Sequence, residues 1–214
     1  MLRSINDIIG FNLKSSDGTL GKVTDFNFDD EDWIIRYAVV DTGGWLTGRK
    51  VLIPPHKIDR IDMQNQNLEV ELTKNQVEKS PPISADEPVS RQYEDQLYSY
   101  YGWHPYWISG LMSGAYTTAV NPSDEEDVRS ENDSGEKALI RSCNEVSEYA
   151  LECMDGEIGD VEDFIVDDQT WQILYLVVNT SRLVSGKKVI LAKMWIDRVS
   201  WSQPLNSRRP MSSP

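Results

Sequence analysis

The sequence predicts a mostly β protein: two small β-barrels from an internal duplication, joined by an aromatic-rich and acidic linker with one short helix. Three observations carry that expectation. The first is an ungapped repeat, in which residues 2–63 moved forward by 138 positions fall on residues 140–201 with about 24 of the roughly 60 aligned positions identical. Asp17, Gly18, Gly21, Val23, Asp25 and Phe26 meet Asp155, Gly156, Gly159, Val161, Asp163 and Phe164. Asp29, Asp30, Trp33, Ile35, Tyr37, Val39 and Val40 meet Asp167, Asp168, Trp171, Ile173, Tyr175, Val177 and Val178. The second is a succession of short β-prone runs, each ended by a turn signal, with almost no helical periodicity. The third is charge. Residues 81–137 hold 3 basic and 11 acidic side chains, more than half of the net −14, and separate the repeats as a compositionally distinct linker.

The elements follow in order. Phe11–Ser15 is a strand ended by Asp17-Gly18, a hairpin dipeptide. Leu20–Phe28 is the next strand and Asp29–Asp32 an acidic turn. Trp33–Asp41 has the β-branched and aromatic content of a buried strand. Thr42-Gly43-Gly44 turns the chain into the strand Lys50–Ile53, which Pro54-Pro55 stops. Ile58–Met63 and Leu68–Leu72 pair across Gln64–Asn67, and Thr73 caps a short helix over Lys74–Lys79. These elements make a first domain, residues 1–80, and the repeat places a second at 138–202. Between them, Pro81–Pro88 is an extended linker. A helix at about 90–101 presents Tyr93, Leu97, Tyr100 and Tyr101 at helical spacing. An aromatic segment spans 98–107, and the Ser-, Asn- and Asp-rich stretch 123–136 reads as disordered, as does the tail 203–214.

The two copies differ at their ends. The first continues into a further strand and a helix, whereas about a dozen polar residues follow Trp201. Leu111–Val120, or a strand from a second subunit, is expected to cover the open edge of the second barrel.

The run Gly10-Phe11-Asn12-Leu13, Asp17-Gly18, Gly21-Lys22-Val23, Asp29, Trp33, Tyr37–Asp41 and Lys50–Pro54, completed by Leu68–Gln76, resembles the PRC-barrel family. That family includes the cytoplasmic domain of the photosynthetic reaction-centre H subunit and the C-terminal domain of the ribosome-maturation factor RimM. The resemblance covers residues 2–80 and, more loosely, 139–201. It implies a docking and scaffolding fold with no catalytic residues to carry over. Neither the membrane-spanning helix of the H subunit nor the RNA-associated domain of RimM is expected here, since no matching run is read in these residues.

Each candidate for chemistry has a plainer reading beside it. Gly18/Gly156 and Gly21/Gly159 could suggest a phosphate loop, yet no helix N-terminus follows them; with Asp17 and Asp155 they read as structural turns needing positive φ. The acidic turns could hold a hard cation, but four adjacent carboxylates cannot all aim inward, so a solvated turn is expected. His56 and His104 lack a neighbouring nucleophile and read as structural or surface residues. Asp25/Asp163 and Asp59-Arg60/Asp197-Arg198 recur in both copies as structural ion pairs or the remnant of a binding site. Cys143 and Cys153 lie opposite Ile5 and Ser15, so no shared disulfide or metal site is expected.

The aromatic segment is the one partner-facing candidate: Tyr98, Tyr100, Tyr101, Trp103, His104, Tyr106 and Trp107. Nearby acids oppose stacking on a nucleic acid, so these rings are expected to fasten the barrels together or to meet a second subunit or protein partner. The expected protein is a non-catalytic, cytoplasmic assembly scaffold that binds a protein partner or itself. No cofactor, metal, nucleic acid or membrane insertion is expected. Docking on a specific ribosomal, photosynthetic or envelope complex is the alternative in the same class. A cation-dependent enzyme built on the acidic turns is the alternative from another.

Overall fold

The computed structural model describes residues 1–83, 89–107, 140–147, 149–153, 156–180 and 187–195. Leu111–Val120, the stretch 123–136, Asp155, Asp197-Arg198 and the tail lie outside them. The described chain is mostly β. Its first part runs β1 (Leu2–Ser4), α1 (Ile5–Ile8), β2 (Asn12–Ser15), β3 (Gly18–Asp29), β4 (Ile35–Asp41), β5 (Lys50–Ile53), β6 (Ile58–Asp62), β7 (Asn67–Val70) and α2 (Lys74–Glu78). The linker helix α3 is Arg91–Tyr101. The last part runs β8 (Ile140–Ser142), α4 (Cys143–Val146), β9 (Ala150–Cys153), β10 (Gly156–Asp167), β11 (Ile173–Asn179) and β12 (Lys188–Ala192).

Two sheets result. The first has the order β5-β4-β3-β2-β7-β6, all antiparallel except β2 with β7. The second has the order β1-β10-β11-β12, with β9 also on β10. Among the described residues neither forms the closed, self-contained barrel that the sequence suggests. No described pairing joins β5 to β6, and each sheet takes its final strand from the other half of the chain. β8 pairs with β3, Ser142 opposite Asn27 and Ile140 opposite Asp29. β1 pairs with β10, Ser4 opposite Ile165 and Leu2 opposite Asp167. The arms β1–α1 and β8–α4 have thus changed places.

This exchange merges the cores. Ile5 and Ile8 of one arm and Cys143 and Val146 of the other are all buried in a single apolar cluster that spans both sheets. Phe28 joins the halves, its ring centroid 5.7 Å from Phe164 and 5.4 Å from Trp33. The tight turns after β3 and β10 put Trp33 at φ 61° and Trp171 at φ 58°, left-handed backbone that costs roughly 1–3 kcal/mol outside glycine. Reciprocal hydrogen bonds hold the two turns together, Ile35 N donating to Trp171 O and Ile173 N to Trp33 O, both at 2.8 Å. Domains near the lower size limit for an independent core gain buried area by such sharing.

The repeated glycines divide by role. Gly18 has φ 131°, next to the β2–β3 hairpin turn. Gly21 and Gly159 lie within β3 and β10 and not in turns. A Cβ there would sit 2.2 Å from the carbonyl oxygen of Asp41 or Asn179, so close approach of the next strand excludes a side chain.

Candidate interaction surface

The repeated acids organise the arm sockets, which the sequence reading did not anticipate. β3 and β10 each contain a register shift, between Val23 and Asp25 and between Val161 and Asp163. The shifts leave the carbonyls of Thr24 and Glu162 to accept the side-chain amides of Asn144 (2.9 Å) and Asn6 (3.0 Å). Asp25 takes the Ser142 hydroxyl at 2.5 Å and the Asn144 N–H at 3.1 Å. Asp163 takes the Ser4 hydroxyl at 2.5 Å and the Asn6 N–H at 3.1 Å. Each serine also caps its own short helix, accepting from Asp7 N or Glu145 N. Burial pushes the Asp25 carboxyl up, against the hydrogen bonds that favour its charge. Asp25 and Asp163 are therefore hydrogen-bond acceptors for an exchanged arm, and among the described residues neither enters an ion pair.

The acidic turns are likewise engaged and not simply solvated. Arg3 Nε donates to Asp168 at 2.9 Å and Arg141 Nε to Asp30 at 3.0 Å, one from each arm. Asp29, 2% exposed, receives Arg36 Nε at 2.5 Å and Asp32 N at 2.6 Å. Burial raises the Asp29 pKa, with Arg36 opposing it. Asp167 is held low by the N–H groups of Thr170 and Gln169. Among the described residues no group of three or more metal-ligating side chains comes together. Asp17 accepts from Ser15 Oγ and from Lys74 N at the start of α2, and Ser15 first among its neighbours lowers its pKa.

The aromatic segment lies on the first sheet. Tyr37, Val39 and Leu52, outward residues of β4 and β5, are buried with Leu97 and Tyr98 of α3, and Tyr93, Tyr101, Trp103, Tyr106 and Trp107 pack around them. Ser90 caps α3, and Gly102 at φ 65° ends it, sending Trp103 N back to Tyr98 O at 2.9 Å. The rings interlock: Tyr101 stacks on Trp103 at 4.1 Å, and Tyr98 meets Trp103, Tyr106 and Trp107 edge-on. His56 lies edge-on to Trp103 at 5.2 Å, and burial with Lys57 lowers its pKa. Tyr100 is 40% exposed, its hydroxyl on Gln76 O, and His104 is exposed. The described contacts make this segment a strap over the first half, whereas the link between the halves is the arm exchange.

One carboxylate anchors the strap. Glu94, 1% exposed, accepts from the hydroxyls of Tyr37 at 2.6 Å and Tyr106 at 3.0 Å. Arg91 Nη1 lies 3.0 Å from its other oxygen, an ion pair not aligned as a hydrogen bond. Arg36 lies 3.8 Å over the Tyr106 ring and Arg91 4.2 Å over Trp107. Burial raises the Glu94 pKa despite these partners, and raises that of Tyr93 to about 12. From the sequence Glu94 counts only among the acids that oppose a nucleic acid, although an acid among Tyr93, Leu97 and Tyr98 on one helix face is a visible signal of a buried role.

The second sheet presents the corresponding face differently. Val177 pairs with Ile190 as Val39 pairs with Leu52. Leu52 is 1% exposed under the strap, whereas Ile190 is 62% exposed, beside Met194 at 84% and Trp195 at 71%. No described helix is long and apolar enough to cross a membrane. The family model for the PRC-barrel domain matches residues 2–77. A search of the curated proteins finds no match.

Proposed function

Residues 2–77 belong to the PRC-barrel family, whose domains mediate protein interactions, and from that premise we propose that the chain is a non-catalytic scaffold. Its two barrel-like halves derive from an internal duplication and dock a protein through the outer face of the second sheet. The exposed Ile190, Met194 and Trp195 carry this reading, since three large apolar side chains on the outward side of β12 and in the turn after it favour an interface. A catalytic role gains no support from the repeated carboxylates, because the arms and their arginines occupy them.

A photo-crosslinking amino acid at position 190 tests the proposal in cells. The expected result is a discrete adduct whose mass identifies a partner chain or a second copy. Absence of any adduct, with sedimentation as a lone monomer, overturns it.

A further inference from the structure

We propose that the outer face of β10–β12 binds an amphipathic α-helix from a partner protein. Its apolar stripe would carry leucine and aromatic residues without an acid, and its borders would be acidic. This rests on the docking reading above and names the partner's chemistry. The first half provides the precedent, because there a helix with Tyr93, Leu97, Tyr98 and Tyr101 covers Tyr37, Val39 and Leu52. The second half keeps the same receiving set in Tyr175, Val177 and Ile190, with Tyr175 and Val177 neighbours on one face and Ile190 directly across from Val177.

Two differences set the specificity. Asn27, opposite Tyr37, becomes Ile165 opposite Tyr175, and Arg36 becomes Leu174. A sheet face turned to water would gain polar residues, but this one has exchanged an amide and a guanidinium for aliphatic side chains. Loss of the Arg36 counterpart also removes a cation that supports Glu94 in the first half. A buried acid on the incoming stripe would thus be poorly compensated here. Lys187 lies exposed at one end of β12, beside Lys188 with its Glu162 partner at 2.6 Å, and Lys193 lies at the other end, so acids flanking the helix stripe complement Lys187 and Lys193.

The probe is a labelled synthetic peptide of residues 89–107 carrying Glu94→Leu, added to the full chain and followed by fluorescence anisotropy. Saturable binding is expected, weakened about tenfold by Ile190→Glu in the chain. The peptide with native Glu94 should bind several-fold more weakly, and Leu174→Arg in the chain should reverse that preference. An Ile190→Glu variant that melts like the parent shows the loss to be local.

No saturation up to about 1 mM overturns the proposal. So does binding indifferent to Ile190→Glu, which would mean displacement of the protein's own strap or adhesion elsewhere. Equal binding of the two peptides overturns the acid-free stripe. A crosslinked adduct at position 190 without peptide binding removes the helix and leaves the interaction reading standing, whereas absence of both removes both.

Discussion

The two halves agree closely at their arm sockets and diverge on their outer faces. Asp25 and Asp163 hold their serines at the same 2.5 Å and their asparagine N–H groups at the same 3.1 Å. The arm residues Arg3, Ser4 and Asn6 match Arg141, Ser142 and Asn144 without substitution. On the outer faces, by contrast, Asn27 and Arg36 give way to Ile165 and Leu174, and the Leu52 position passes from buried to exposed at Ile190. The residues that join the halves tolerate little change, because each carboxylate satisfies several donors at once and losing it would strand them. An outer face answers only to what lies on it, so its composition reports its occupant.

Substitutions in the shared core, the sockets and the outer faces test that contrast. Phe28→Ala removes the ring between Trp33 and Phe164 and should cost about 3–5 kcal/mol in denaturant unfolding, melting both halves in one transition. Separate transitions would show that the cores are not shared. Arg36→Leu copies the second half into the first and leaves Asp29 buried without its cation. A loss of about 3 kcal/mol is expected, relieved in part by adding Asp29→Asn.

The sockets predict equal penalties. Asp25→Ala and Asp163→Ala should each cost about 1–3 kcal/mol and agree within about 0.5 kcal/mol, since each strands the same donors. A large inequality in chemical denaturation would mean that the exchange is supported on one side only.

Glu94→Gln concerns the strap and its pH dependence. Burial raises the Glu94 pKa, so the folded chain binds a proton at a pH where the unfolded chain does not. Stability from this group therefore grows as pH falls from neutral toward the ordinary glutamate range, and is lost again as pH rises. Glutamine keeps an acceptor for the Tyr37 hydroxyl without the buried charge. Its melting temperature should exceed the parent's by a few degrees at about pH 7, with the gap closing by about pH 5. Smallest of all is Ile190→Lys, expected to change stability by less than about 0.5 kcal/mol because the side chain is 62% exposed.

Much of the local structure was legible. The strand periodicities, the Thr73 cap of α2 with its Gln76 partner and the Ser90 cap of α3 all act over a few residues, where sequence and geometry correspond directly. The arms were not legible as elements. β1, α1, β8 and α4 are only three or four residues long, too short for periodicity to register. Their signal lies instead in the identical pairs Arg3/Arg141, Ser4/Ser142 and Asn6/Asn144. The strap was recognisable as aromatic and helical, but not its seat, because tyrosines at helical spacing suit any apolar face.

What the sequence alone determined was the repeat, the β character and the residues shared by both halves, since these follow from local preference and direct alignment. Only the tertiary structure decided that the arms cross, that Asp25 and Asp163 serve the opposite half, and that the strap covers one sheet face and not its counterpart. The physical reason is that β pairing and apolar burial do not depend on distance along the chain. Two near-identical sockets accept either arm equally well by local chemistry, and the choice between them falls to the packing of Ile5, Cys143, Phe28 and Phe164 in one common core.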